Sequence, residues 1–234
     1  MSGHFYGIGV GPGDPELLTI KAVNALKATD VLAVPESSTD SESIAYSIAA
    51  RYINPDTEIL RLTFPMIKDK TVKNRQRAHN AFMIREQLER GKTVSFITIG
   101  DPLTYSTYIY LLEHLKETGT RVTTIPGITS FQAMAAGQHL PLAAGRDSVG
   151  IFCDFETLLA HKALFGFDTL ILMKPAAYFP RLAALFSEHR DEYHFCLAMH
   201  MGREEEKIIT DWDAAGKEVL PYLSLIIIRR KNEN

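Results

Sequence analysis

Short apolar runs alternate along this chain with longer stretches in which apolar residues recur at helical spacing. In the first half, residues 4–10, 31–34, 58–62, 93–99 and 121–125 read as strands. The fourth is nearly all apolar, as expected in the middle of a parallel sheet. Leu18, Ala22, Ala25 and Leu26 mark a helical face running to Ala28, with Asp14 as N-cap, Pro15 at the first helical position and Glu16 in the first turn. Ser41 is placed to cap a helix through Tyr52, which Asn54-Pro55 stops. A long polar helix is expected from about residue 68 to 90, stopped by Gly91, and another over residues 105–117, ended by Gly119. Pro126-Gly127 turns into a helix starting near Thr129. The second half repeats the alternation more loosely, with strands at 149–153, 169–173, 195–200 and 222–230 and helices at 156–164 and 178–189. This alternation predicts a parallel α/β architecture. The division is expected between Thr118 and Gly127, giving one α/β domain over residues 1–120 and a second over 121–234. The polar tail from Lys231 is expected to fray.

Composition narrows the function classes. With 234 residues and 46% apolar content the chain can bury a full core. A net charge of -3 argues against a nucleic-acid surface, which needs a basic face. Cys153 and Cys196 lack metal-site spacing and read as core residues of a reducing compartment. The eight histidines form no His-x-x-x-His pair, so no protein-held metal is expected. His194 and His200, at even spacing on one strand, read as packing residues. No apolar run reaches the ~18 residues of a membrane span, and no signal-peptide pattern opens the chain. A cytoplasmic location is expected.

The chemistry concentrates in two turns, Gly7-Ile8-Gly9-Val10-Gly11-Pro12-Gly13-Asp14 and Gly100-Asp101-Pro102. Glycine at strand ends lets backbone approach backbone or ligand closely. A dinucleotide fingerprint fails here. Pro12 stands where its third glycine belongs, or Asp14 when the count starts at Gly9. The acid expected at the end of the second strand is displaced to Asp30 or Glu36. A carboxylate at Asp14 also opposes a pyrophosphate at the same helix end. One such turn could be a ligand-free strand-helix link; two point to a small-molecule cleft and an enzyme.

Read in order, the motifs form a larger pattern. The stretch from Tyr6 to Ala22, then Gly100-Asp101-Pro102 with Tyr105-Ser106-Thr107, Pro126-Gly127-Ile128-Thr129-Ser130, Leu172-Met173-Lys174 and the segment from Met201 to Ile208 resemble the tetrapyrrole methylases. The likeness spans nearly the whole chain. Val34-Pro35-Glu36-Ser37-Ser38, Ser41-Glu42-Ser43-Ile44-Ala45 and Phe64-Pro65-Met66 resemble the branch that methylates C-20 of precorrin-2 or cobalt-factor II on the route to cobalamin.

This resemblance implies a class III methyltransferase fold, two α/β domains with a donor-binding cleft between them, and a homodimer. It implies S-adenosylmethionine as methyl donor and S-adenosylhomocysteine as product. It places Pro12 in the opening loop, Gly100, Asp101 and Leu103 in the middle donor loop, and Tyr105 just beyond. Thr129 and Ser130 hold the donor from the next turn; Met173, Met199 and Ser224 contact it from the second domain. Ser37, Phe64 and Met66 fall to the tetrapyrrole, and cobalt, where present, arrives inside the substrate. The Asp101 carboxylate can favour the donor's cationic groups, and Met173 offers a polarizable surface.

In-line transfer from an activated sulfonium to an electron-rich ring carbon leaves the protein mainly positioning and electrostatics. Tyr105 and Glu36 lie near the expected cleft, but neither is fixed as a base. The substrate's many carboxylates could be steered by Lys68, Lys70, Lys73, Arg75, Arg77 and His79, though this stretch reads first as a solvated helix face. Arg61, Phe64 and Met66 would add a mixed charged and flat apolar wall. A sister methylase with another acceptor carbon, a nicotinamide oxidoreductase and a non-catalytic donor-binding module remain as rivals.

Overall fold

A computed structural model describes residues 3–36, 43–67, 69–160 and 163–231. The first of its two compact units runs from Met1 to Thr129. It contains β1 (His4–Gly9), α1 (Ile20–Lys27), β2 (Val31–Glu36), α2 (Ile44–Ala49), β3 (Glu58–Thr63), α3 (Lys70–Glu89), β4 (Thr93–Thr98), α4 (Tyr108–Glu117) and β5 (Val122–Ile125). All five strands pair in parallel in the order β3-β2-β4-β1-β5.

Each strand alternates its side chains between two apolar layers. Ile8, Leu32, Val34 and Ile97 pack with Ala22 and Leu26 of α1 and Ala45 and Ile48 of α2. Phe5, Val31, Ala33, Val94 and Phe96 pack with Ile84 and Leu88 of α3 and Tyr108 and Leu111 of α4. Both faces of the sheet are covered, which is why its central strands are apolar almost throughout.

The second unit, Ser130–Asn234, holds α5 (Ser130–Gly137), β6 (Val149–Phe152), α6 (Phe155–Ala160), β7 (Thr169–Met173), α7 (Phe179–Leu185), β8 (Tyr193–Met199), β9 (Lys207–Ile209), α8 (Trp212–Ala215) and β10 (Ser224–Arg230). Its strand order is β6-β7-β10-β8-β9. Ile226 and Ile228 of β10 face a layer built with Phe179, Leu182 and Trp212. Leu225 and Ile227 face the opposite layer, with Phe131 and Met134 of α5. At the end of β10 the buried Arg229 guanidinium donates to Leu142 O and Thr169 Oγ1 at 3.0 Å and to Asp147 Oδ2 at 2.6 Å. That pairing holds the Asp147 carboxyl below its ordinary range.

Several expectations are corrected. The units divide between Thr129 and Ser130 rather than at residue 120, because β5 hydrogen-bonds along β1 and completes the first sheet. The second sheet is mixed: β6 and β7 are parallel, but β10 runs antiparallel to both β7 and β8, and β9 to β8. The alternation breaks because β8 returns directly into β9 without a helix. Both β9 and the four-residue α8 are too short to show as periodic runs.

The single helix expected after Asp14 is two elements. Asp14 caps a 3-10 turn at Pro15–Leu17, the backbone is extended at Leu18 and Thr19, and Thr19 Oγ1 then caps α1 through Ala22 N–H at 3.1 Å. In the helix expected from residue 105, Tyr105 sits in the left-handed region (φ 52°), so α4 starts at Tyr108. Ser41, the expected cap, lies outside the described residues, and α2 follows Ser43.

Candidate functional site

Strand order locates the candidate site within the first unit. The connection leaving β1 runs to β2, on one side of it, while the connection leaving β4 runs to β5, on the other. Ligands of open parallel sheets bind outside the carboxyl ends of the strands at such a switch point. The two glycine turns leave the sheet there.

Those turns touch backbone to backbone. Val10 N–H donates to Thr98 O at 2.9 Å and Gly100 N–H to Gly11 O at 2.7 Å, with Gly11 and Gly100 at φ 79° and 69°. The turn after β5 closes the group. A Cβ added at Gly9 would lie 2.5 Å from Gly100 O, and one at Gly127 would lie 2.1 Å from it. Three glycines from three turns therefore share one contact that no side chain fits. Pro12 is buried in the first turn.

Asp14 spends its carboxylate on Glu16 N–H at 2.8 Å. A pyrophosphate would need open N–H groups at that position, so the arrangement speaks against a dinucleotide. It suits a ligand read by backbone groups.

Asp101 is placed at this point. Its Oδ1 accepts from Leu103 N–H at 2.9 Å and its Oδ2 from Gly127 N–H at 3.2 Å. The carboxylate shapes the turns. It leaves Leu103 and Tyr105 as the outward side chains, 56% and 43% exposed. Thr129 is buried at the end of the third turn, and Ser130 opens α5 in the second unit.

Behind the turns, Thr98 Oγ1 and Ser106 Oγ hydrogen-bond at 2.9 Å, and the Tyr108 hydroxyl meets Thr124 Oγ1 at 2.5 Å. Tyr108 crosses β1 where Gly7 has no side chain; a Cβ there would lie 2.0 Å from the ring. Burial pushes the Tyr108 phenol above its ordinary pKa.

Phe64 and Met66 also lie beyond a strand end, that of β3, with Glu36 at the end of neighbouring β2. Phe64 is half-buried edge-on to Phe96 at 6.0 Å, and Met66 is exposed. Ser37 and Lys68 fall outside the described residues. The basic stretch on α3 is engaged in part as a surface: Arg77 stacks 3.3 Å from the Tyr110 ring centroid and donates to Asn74 Oδ1.

In the second unit, Met173, Met199 and Ser224 are brought together at one end of the three central strands β7, β10 and β8. Ser224 pairs with Met199, and the next residue, Leu225, with Met173. Two residues bend the chain at this strand end, Lys174, known from the sequence only as part of a motif, and His200, read there as a packing residue. Lys174 and His200 follow β7 and β8 in the left-handed region, at φ 54° and 53°. Their N–H groups donate to Ser224 O and Leu223 O, both at 3.0 Å. A non-glycine residue in this conformation leaves no mark in a single sequence. Lys174 Nζ lies 4.8 Å from the Tyr222 ring centroid.

Among the described residues there is no group of three or more His, Cys, Asp or Glu side chains that could hold a metal ion, and no helix is long and apolar enough to cross a membrane. Neither cysteine is in a disulfide, and burial pushes the Cys196 thiol up to about 11.

Comparison with known proteins agrees with this geometry. The chain is 37% identical over 227 residues to the probable cobalt-precorrin-2 C(20)-methyltransferase of Methanocaldococcus jannaschii, covering 96% of this chain and 95% of that protein. It is 35% identical over 189 residues to the cobalt-precorrin-2 C(20)-methyltransferase of Salmonella typhimurium, covering 80% and 79%. The solved uroporphyrin-III C-methyltransferase of Thermus thermophilus, complexed with S-adenosylhomocysteine, shares the fold at TM-score 0.67 and 20% identity, covering 97% of this chain and 92% of that one. The profile of the tetrapyrrole (corrin/porphyrin) methylases matches residues 4–213, and the chain belongs to that family.

Proposed function

We propose that this protein is an S-adenosylmethionine-dependent C-methyltransferase acting on C-20 of precorrin-2 or cobalt-factor II in cobalamin biosynthesis. The observation that carries this reading is the likeness to the two C(20)-methyltransferases, 37% identity over 96% of the chain for one and 35% over 80% for the other. The donor, when bound, supplies a methyl group activated on a sulfonium sulfur. On this reading, Pro12, Gly100, Asp101, Leu103, Tyr105, Thr129 and Ser130 hold the donor from the turns. Met173, Met199 and Ser224 do so from that end of the central strands of the second unit.

The chain's own part is placement. The backbone groups of the fused turns are fixed before any ligand arrives, so little ordering is left for binding. Asp101 acts by keeping Leu103 and Gly127 in place. Leu103 supplies an exposed apolar side chain beside the turns. Phe64 and Met66 supply the flat apolar wall for the macrocycle. The working unit on this reading is a homodimer located in the cytoplasm.

The test is an anaerobic assay with S-adenosylmethionine, offering precorrin-2 and cobalt-factor II separately and following product mass. One added methyl on either substrate supports the reading and names the route. Donor binding without methylation of either would overturn it in favour of a sister acceptor.

A further inference from the structure

We infer that Arg61 is a receptor for a peripheral carboxylate of the tetrapyrrole, and that Glu36 is the positioning residue that holds it. This rests on the proposed substrate class. The two side chains meet by register. Val34 of β2 pairs with Arg61 of β3, and Glu36 pairs with Thr63, so Glu36 stands diagonally across from Arg61 on the same sheet face. The Arg61 guanidinium donates to the Glu36 carboxylate.

The pair is unequal in burial. The Glu36 side chain is 2% exposed and the Arg61 side chain 66%. A carboxylate so deeply buried is costly without a cation. The rest of the guanidinium stands in solvent, the ordinary place for an arginine's charged head, where a second anion can reach it. A guanidinium carries five N–H donors in a rigid fork, and one of its nitrogens contacts Glu36. The outward part of the fork is shaped to bind a second carboxylate.

The surroundings fit the rest of such a ligand. Arg61 lies near the carboxyl end of β3, the outer strand, at the same end of the sheet as the glycine turns. Beyond it along the chain come the exposed Met66 and Ile67, so an exposed charge is followed by exposed apolar side chains, while Phe64 packs on the opposite sheet face against Phe96. A macrocycle with carboxylates on its rim presents the same two features. The strand ends are pinned: Phe64 N–H donates to Glu36 O at 2.7 Å, and the buried Asn80 Nδ2 donates to Thr63 O at 2.8 Å. Glu36, committed to Arg61, is thereby removed as a candidate base.

The experiment compares wild type with Arg61→Met, Glu36→Gln and the double variant. It measures anaerobic kinetics on cobalt-factor II and precorrin-2, affinity for S-adenosylhomocysteine by calorimetry, and Tm. Arg61→Met should raise the tetrapyrrole KM about tenfold, the scale of one charged hydrogen-bond contact, with kcat and product affinity nearly unchanged. Glu36→Gln, which keeps the guanidinium but loosens it, should raise KM less. The double variant, with no buried charge left unpaired, should recover Tm but keep the raised KM. A KM that stays at wild type in Arg61→Met, or that recovers with Tm in the double variant, overturns the inference and leaves a purely structural pair. If wild type methylates neither tetrapyrrole, the proposed function fails separately. Absorbance titration of cobalt-factor II into wild type and Arg61→Met then still decides the arginine: weaker binding by the variant supports it, and equal or absent binding overturns it.

Discussion

Asp101 Oδ2 accepts a hydrogen bond from Gly127 N–H at 3.2 Å, joining the turn after β4 to the turn after β5. The other carboxylate oxygen holds Leu103 N–H within its own turn. One side chain thus fixes two of the three turns at the switch point. Asp101→Ala should destabilise the protein by about 2 kcal/mol, the usual worth of hydrogen bonds to a charged group. It should also weaken S-adenosylhomocysteine binding about tenfold, because backbone donors lose their aim. Asp101→Asn keeps one acceptor and should fall between. Calorimetric Tm and titration calorimetry check both; unchanged affinity in Asp101→Ala would contradict this role.

The shared glycine contact predicts a sharp difference between sites. Gly127→Ala drives a methyl to 2.1 Å from Gly100 O, with backbone on both sides and nothing flexible to yield. The cost should reach about 3 kcal/mol, the upper range for overpacking, together with loss of donor binding. Gly137→Ala, at the end of α5, meets nothing within 4 Å and should change stability by no more than about 0.5 kcal/mol. Denaturant unfolding of the two variants beside wild type measures the contrast.

Two buried neutral groups set an alkaline limit. Burial raises the Cys196 thiol from 9.0 to about 11 and the Tyr108 phenol above 10.0. Each folded pKa lies above the unfolded one, so the unfolded chain releases its proton first as pH rises. Their contributions are whole below about pH 9 and 10 respectively, and are lost as pH climbs through the folded values. Unfolding free energy measured from pH 7 to 11 should fall from pH 9 upward, and Cys196→Ala should delay the onset. Cys196 should also resist alkylation at pH 8 in the native state and react once unfolded. A flat profile, or equal reactivity in both states, would count against this burial.

What was legible in the sequence was whatever repeats or punctuates. The five strands of the first unit, the stops at Gly91 and Gly119, and the turns at Gly9, Gly100 and Gly127 each follow from local chemistry. The resemblance, not local chemistry, is what named Met173, Met199 and Ser224 together. The role of Asp101 was not legible: whether a carboxylate faces a ligand or folds back on Gly127 N–H is decided by a turn 26 residues away. The direction of β10 was hidden because an apolar run such as Leu225 to Ile228 fits either strand sense. The pairing of Glu36 with Arg61 needs the β2-β3 register, which no single strand carries.

Lys174 and His200 supply the last prediction, because both hold a conformation that costs an L-residue about 1–2 kcal/mol. Each is kept there by an N–H bond to the start of β10, and each directly follows a methionine assigned to the donor. Lys174→Gly removes the side-chain strain but adds freedom to the unfolded chain, so its Tm should match or slightly exceed wild type. Lys174→Val puts a branched β-carbon in the left-handed region and should lose about 2 kcal/mol. If the bend exists to set Met173, donor affinity should follow the same order, kept in the glycine variant and lost in the valine variant. If Lys174→Gly keeps Tm but loses donor affinity, the lysine side chain itself, resting over Tyr222, is what the donor requires, and the backbone account of this strand end fails.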